Sequence, residues 1–496
     1  MTEESLAAKT TSGVAWTAVQ KWAVRLSGFA TIAILARLLD PHDFGLVAAA
    51  STVTPLLYLL SDLGFSTYVE TTETVDRRSL STAFWFSATV GTMLSLGLVA
   101  AAPLVAALLH APGLARVLPV MSVAVFLVAI ASVPMAVLRR RMEFRRIAMQ
   151  SAVSVLAAQI AAVIVALTGG GVWALVAQVL VNQALTAVLA WASARWRPDA
   201  SFSRSEFLTM ARFGINVVGI EFVDLARQWA ETAVITSVLG VTGLGYLNIA
   251  QRLVQVAQDL TVSAVTPVTT VAFAKVRSSI ERLRDGYGRV IEVTYAAAVP
   301  LSAVLAVAAP VAVPLVYGSG WSPSVLPAEA YAVASFAVVG AVVDKAFFFG
   351  VGKPGRWFVY GLVTDGVTFA TTAVMVHFGL QAVAIGFVAV AFAALIARSF
   401  LVRRLISASV GHVLAPFARA LAVGVAAAIA GSAVLMLVSG WPHLLALLAA
   451  GGAVATVYLA LVRRALPAAA ATGWSLVARV WRRRVIETSA QIGTSP

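Results

Sequence analysis

Cysteine is absent from the 496 residues, so disulfides, thiol nucleophiles and cysteine-ligated metals are excluded. Charge is scarce too: 12% of residues are Asp, Glu, Lys or Arg, against about a quarter in soluble domains. With 60% hydrophobic residues, such a chain belongs in a bilayer. The period-two alternation of a membrane barrel is missing, which leaves helices as the way to satisfy the backbone in lipid. Catalytic motifs are missing as well. His42, His110, His377, His412 and His443 stand singly near run ends, with no metal-binding spacing. Gly350, Gly352 and Gly355 match G-x-G-x-x-G, but between two apolar runs they read as a tight turn rather than a nucleotide site. The longest polar connections are about twenty residues, too short for an extramembrane catalytic domain. No enzymatic activity, cofactor or metal is expected.

What the chain does have is apolar runs long enough to cross a hydrocarbon core of about 30 Å. Fourteen are counted, near 13–37, 46–69, 80–103, 117–138, 148–168, 172–193, 213–239, 246–272, 289–312, 328–349, 357–377, 380–401, 416–438 and 443–462. The first is too long for a cleavable leader and reads as an ordinary span. The fold class expected is an all-α polytopic membrane protein.

The formal charge of +14 is explained by its distribution. With the N-terminus inside, 29 of the 36 Lys and Arg fall on cytoplasmic connections, including Arg139–Arg146, Arg195–Arg212 and Arg398–Arg419. This positive-inside bias sets the orientation, with both termini cytoplasmic, and removes any need for a nucleic-acid partner. Beyond Arg464 the tail places Trp474, Val477, Trp481 and Val485 opposite Arg479 and Arg483. Both an amphipathic helix on the inner leaflet and a solvated basic tail fit that pattern.

A shift of 200 residues lays 30–50 over 230–250 without gaps. Ala30, Ala33, Leu39, Gly45 and Ala50 then fall on identical residues, with the glycine turn in register. Six spans per repeat is an even number, so the repeat is parallel, as in transporters whose two lobes rock around a central site. The domains expected are an N-lobe at 1–198, a linker and C-lobe at 199–402, two further helices at 403–464 and a basic tail at 465–496. The stretch from Ser193 to Arg212 is the lobe connector.

Ionisable groups inside spans are costly and mark where function resides. Glu221, Asp224, Arg227, Gln228 and Glu231 share one face of the seventh span, and Asn248, Gln251, Arg252, Gln255, Gln258 and Asp259 one face of the eighth. The first span adds Lys21 and Arg25. Further groups are Asp62, Asn182, Gln183, Glu292, Asp344, Lys345 and Asp365. Lys21, Arg25, Arg227, Arg252, Asn248, Gln251 and Gln255 are the candidate lining of a cavity for an anionic ligand, since guanidinium forks fit phosphate oxygens. Glu221, Asp224, Glu231, Asp259, Asp344, Lys345 and Asp365 are candidates for proton or sodium coupling, or for a gate. The alternative is that Arg227 or Arg252 neutralises Glu231 or Asp259 in a buried pair that fixes helix packing.

The segment Arg37-Leu38-Leu39-Asp40-Pro41-His42-Asp43-Phe44-Gly45-Leu46, followed by Asp62-Leu63-Gly64-Phe65, resembles the opening hairpin of Wzx-type polysaccharide flippases. These belong to the multidrug/oligosaccharidyl-lipid/polysaccharide exporter superfamily. Pro134, Leu138, Arg141, Met142, Phe144 and Arg145 are similar to that family's basic loop after the fourth helix, and Gly350–Pro354 to its loop after the tenth. The resemblance implies a fourteen-helix, two-lobed exporter in the bacterial cytoplasmic membrane. It would carry an undecaprenyl-pyrophosphate-linked oligosaccharide outward for lipopolysaccharide or exopolysaccharide synthesis. Implied partners are the lipid-linked oligosaccharide and membrane lipid, with polysaccharide polymerase or glycosyltransferases as candidates, and a monomer is expected. A lipid II flippase, a drug or cation antiporter, and a membrane polymerase or glycosyltransferase stay open as alternatives.

Overall fold

The computed structural model describes residues 24–72, 75–276 and 279–471, with the side chains of 71, 215–221, 224, 256, 257, 259–272 and 275 left out. Lys21 and the tail residues Trp474, Val477, Trp481 and Val485 lie outside the described residues, as do the side chains of Glu221, Asp224 and Asp259.

Among the described residues every regular element is a helix. In chain order they are α1 (24–38), α2 (Pro41–Asp62), α3 (Phe65–Thr71), α4 (Arg77–Leu108), α5 (Leu114–Arg140), α6 (Phe144–Leu167), α7 (Val172–Ala194) and α8 (Arg204–Val276). There follow α9 (Ile280–Tyr317), α10 (Val325–Val338), α11 (Gly340–Gly350), α12 (Pro354–Met375), α13 (Leu380–Ile406), α14 (Val410–Leu437) and α15 (His443–Ala465). Twelve described stretches are long and apolar enough to cross a membrane. The seventh and eighth expected spans are joined in α8, whose arms meet at Gly240 with φ 70° and ψ 172°. Under the 200-residue shift that break falls on Asp40, which separates α1 from α2 with φ −85° and ψ 156°. The repeat thus predicts the position of the break as well as the glycine.

Local chemistry sets the helix ends. Pro41 opens α2 at the position where a missing N–H costs nothing. Leu63 and Gly64 then adopt left-handed φ of 47° and 72°, turning the chain into α3. Asp76 caps α4 by accepting the Ser79 N–H at 2.7 Å, and hydrogen bonds from the Ser79 hydroxyl and N–H hold its carboxyl below the usual value. Gly352, at φ 77°, makes Gly350–Pro354 the tight turn between α11 and α12.

The loop arginines do more than fix topology. Arg140 Nη1 donates to the carbonyls of Val69 (2.8 Å) and Thr72 at the end of α3. Arg141 donates to Ala194 O at the end of α7 (2.7 Å), and Arg284 to Ile406 O (3.1 Å) and Ser407 O (2.9 Å) at the end of α13. Each places a cation where the last carbonyls and the helix dipole are negative. Arg140→Ala is expected to destabilise the purified protein by about 1.5–3 kcal/mol, the range for hydrogen bonds to a charged group, with Arg140→Lys recovering part. Thermal unfolding of both variants checks this.

Two compact units are present. The first holds residues up to Asn248 with Val316–Trp321 and Thr372–Leu380; the second holds Ile249–Leu315, Ser322–Thr371 and residues from Gln381 on. The first unit therefore continues about fifty residues beyond the repeat boundary expected at 198/199. The reason is local packing. The connector is fastened to α4 through Asp199 N to Ser81 Oγ (2.9 Å), Ser203 N to Thr82 Oγ1 (3.0 Å) and Trp85 Nε1 to Asp199 O (2.9 Å). Trp196 is buried in a ring cluster with Phe84 and Trp191. The core there comprises Phe65, Val133, Val137, Leu138 and Met210. In the second unit the core gathers Val299, Phe336, Phe347, Phe348 and Phe417.

Candidate functional site

In the first unit the polar face of α8 is built around a helical-spacing pair. Arg227 Nη1 donates to Glu231 Oε2 at 2.8 Å, four residues on, with side chains 21% and 18% exposed. One turn of helix thus holds both a candidate cavity cation and a candidate coupling carboxylate, as an ion pair. The neighbouring Thr232 hydroxyl meets Thr52 at 3.1 Å, joining this arm to α2. Arg25 on α1 and Asn248 on the second arm of α8 are half-buried.

Glycine decides how closely these helices approach. A Cβ on Gly45 would lie 1.7 Å from the Val241 carbonyl oxygen, and a Cβ on Gly245 2.1 Å from that of Pro41. The relation is reciprocal: residues 41–45 face 241–245 as their repeat equivalents face them. The Cα hydrogens taking those directions point at carbonyl oxygens, a weak contact that only glycine permits here. A third glycine, Gly214, seats α8 against the α2–α3 turn, where a Cβ would meet Leu63 O at 1.8 Å. Trp321, 2% exposed, closes the α1–α2 corner by donating to Ala36 O (2.7 Å) and packing edge-on to Phe44 and Tyr246.

The second unit holds a buried polar cluster only half anticipated. Asp344 Oδ2 lies 2.7 Å from Arg398 Nε, both nearly fully buried, and Tyr287 Oη donates to Asp344 Oδ1 at 2.7 Å. Arg398 also donates to Ala337 O and, at 3.5 Å, to Tyr295 Oη. Gly340 makes the room: a Cβ there would stand 2.3 Å from Tyr295 Oη and 3.0 Å from Arg398 Nη2. Arg398 is not part of a cytoplasmic connection, contrary to its place in the series Arg398–Arg419. It belongs to the interior of α13, and its place inside the apolar run 380–401 is the one sequence signal that could have shown it as an intramembrane charge. Lys345 beside Asp344 is exposed, and Asp365 on α12 is half-buried. Gln251, Arg252 and Gln255 are exposed on the second arm of α8. Glu292 on α9 is buried and accepts the backbone N–H groups of Ala468 (2.8 Å) and Ala469 (3.3 Å), fastening the start of the tail.

Helix order, the paired breaks and intramembrane charges define a multi-pass helical membrane protein. The fold is that of the solved structure "Lipid II flippase MurJ, inward closed conformation", with a TM-score of 0.74 and 12% identity over 90% of this chain and 98% of that one. It is also similar to the inward-facing structure of a multidrug resistance MATE family transporter of the MOP superfamily, at TM-score 0.60 and 17% identity over 77% and 94%. The sequence profile of the family described as "Polysaccharide biosynthesis protein" matches residues 34–326, and the chain belongs to that family, with the Wzx-type resemblance of its hairpin agreeing. It is 30% identical over 322 residues to the succinoglycan biosynthesis transport protein ExoT of Rhizobium meliloti (strain 1021), covering 65% of each chain. To the lipopolysaccharide biosynthesis protein WzxC of Escherichia coli (strain K12) it is 26% identical over 325 residues, 65% of this chain and 66% of that one. The match thus spans about two thirds of the length of these curated relatives.

Proposed function

We propose that the protein is a flippase of the bacterial cytoplasmic membrane that moves an undecaprenyl-pyrophosphate-linked oligosaccharide repeat unit to the outer leaflet by alternating access. The observation that carries this reading is the family match over 34–326, joined to cationic and amide side chains on helices of a membrane protein. Arg25, Arg252 and the Asn248, Gln251 and Gln255 amides, with Lys21 and Arg227, receive the pyrophosphate and first sugars, since guanidinium forks fit phosphate oxygens. The prenyl chain stays in lipid, where its burial costs nothing. Asp224, Glu231 or Asp259 couple the cycle to a proton or sodium gradient, and Asp344, Lys345 and Asp365 with Glu221 act in coupling or gating. The positive-inside bias supports cytoplasmic termini. No catalysis is required of the chain.

In cells depleted of the protein, undecaprenyl-pyrophosphate oligosaccharide is expected to accumulate out of reach of an impermeant external probe. Normal sidedness of that pool, with heightened sensitivity to cationic drugs, would instead indicate an antiporter; accumulation of a peptide-bearing disaccharide lipid would indicate lipid II. Reversing Arg25 or Arg252 to glutamate is expected to abolish export while insertion and abundance stay normal. Unchanged export from both variants would remove them from the cavity.

A further inference from the structure

α14 and α15 pack side by side where Gly431 admits Val454 and Ala450, and a groove lies between them towards the end where α14 begins and α15 finishes. The groove that opens there has a volume of about 320 Å³ and is lined by Arg419, Ala422, Val423, Leu461, Arg464 and Ala465. The cations and the apolar residues are ordered along it. Arg464 closes the apolar run of α15 and so marks the hydrocarbon boundary, and Arg419 lines the same groove from the neighbouring helix. Ala422 and Val423 lie one turn further in from Arg419, as Leu461 does from Arg464. Both arginines are exposed, and among the described residues neither has a carboxylate within ion-pair distance. Arg419 uses its Nε on the Ala415 carbonyl of its own helix at 3.3 Å, which leaves both terminal amino groups for a ligand.

Guanidinium groups at this depth require an anion or access to the headgroup layer. From the lining we infer that this groove is a binding site for an anionic phospholipid of the surrounding membrane, with its phosphate between Arg419 and Arg464 and an acyl chain along Ala422, Val423 and Leu461. Charge complementarity selects the headgroup, and the apolar floor selects a lipid over a free phosphate. The inference is independent of the cargo assigned above. Phospholipid bound here would hold α14 and α15 at a fixed level in the bilayer.

The test uses the full chain, delipidated in detergent, with diphosphatidylglycerol, phosphatidylethanolamine, glycerol phosphate or a prenyl pyrophosphate added back, and bound adducts counted by native mass spectrometry. One tightly held diphosphatidylglycerol per chain is expected. Arg419→Gln combined with Arg464→Gln should weaken it about thirtyfold, the contribution of two basic contacts. Phosphatidylethanolamine and glycerol phosphate should not compete. Ala422→Trp, which fills the groove and leaves both charges, should give a similar loss and covers the case in which the double variant misfolds. Anionic lipid retained equally by both variants overturns the site. Equal binding of glycerol phosphate would make it a simple anion site, and preference for the prenyl pyrophosphate would make it a cargo contact; either result overturns the phospholipid assignment.

Discussion

Gly45→Val is expected to abolish export and to lower the unfolding temperature of the purified protein sharply. The added Cβ would sit 1.7 Å from the Val241 oxygen and 2.5 Å from its carbonyl carbon, and these are backbone atoms with no rotamer to escape through. An ordinary carbon–oxygen contact is about 3.3 Å, so α2 and the second arm of α8 would have to part by about 1.5 Å. Overpacking of that kind costs about 1–3 kcal/mol even where neighbours can yield, and here they cannot. Gly245→Ala should reproduce the defect through the Pro41 carbonyl, at 2.1 Å. Combining the two should not restore function, because each glycine clears a different carbonyl. Wild-type export and stability in Gly45→Val would mean that the two hairpins do not cross at these residues.

Breaking the buried pair in the second unit should be nearly as severe. Asp344→Ala leaves the Arg398 guanidinium, 2% exposed, without its counter-charge and removes the acceptor of the Tyr287 hydroxyl. The expected loss is about 3–5 kcal/mol, read as poor yield and early unfolding, and Arg398→Ala should do the same. Asp344→Leu combined with Arg398→Met replaces the pair by apolar volume and should recover most of the stability, since burying two charges is itself expensive. Export by the double variant separates two roles. Recovered stability with normal export makes the pair a packing device, whereas recovered stability without export makes Asp344 part of coupling or gating. Failure of the single variants to destabilise would contradict the geometry.

Gly45 and the Asp344–Arg398 pair differ in how far the sequence alone reveals them. Gly45 and Gly245 are legible in the sequence because turn chemistry acts locally and a shift of 200 residues aligns the two turns. Asp344 stood out for the same kind of reason, as a carboxylate inside an apolar run. Its partner was missed, because Arg398 near the end of its run reads like one more cation of a basic loop. The arginines of the connections were legible as topology signals, while their capping of α3, α7 and α13 was not, because those carbonyls belong to helices distant in the chain. Trp321 gave no signal at all. Its role depends on a segment after α9 returning to the α1–α2 corner.

The sequence by itself determined the membrane location of the chain, its helical class, its internal repeat and the positions of its turns. Hydropathy, backbone satisfaction in lipid and the conformational demands of glycine and proline are sums over neighbouring residues. The tertiary structure alone decided which charges neutralise each other, which helices cross at glycine contact and where the first compact unit ends. Those outcomes depend on which faces meet, and a composition rich in Ala, Val and Leu leaves many faces equally apolar until packing selects among them.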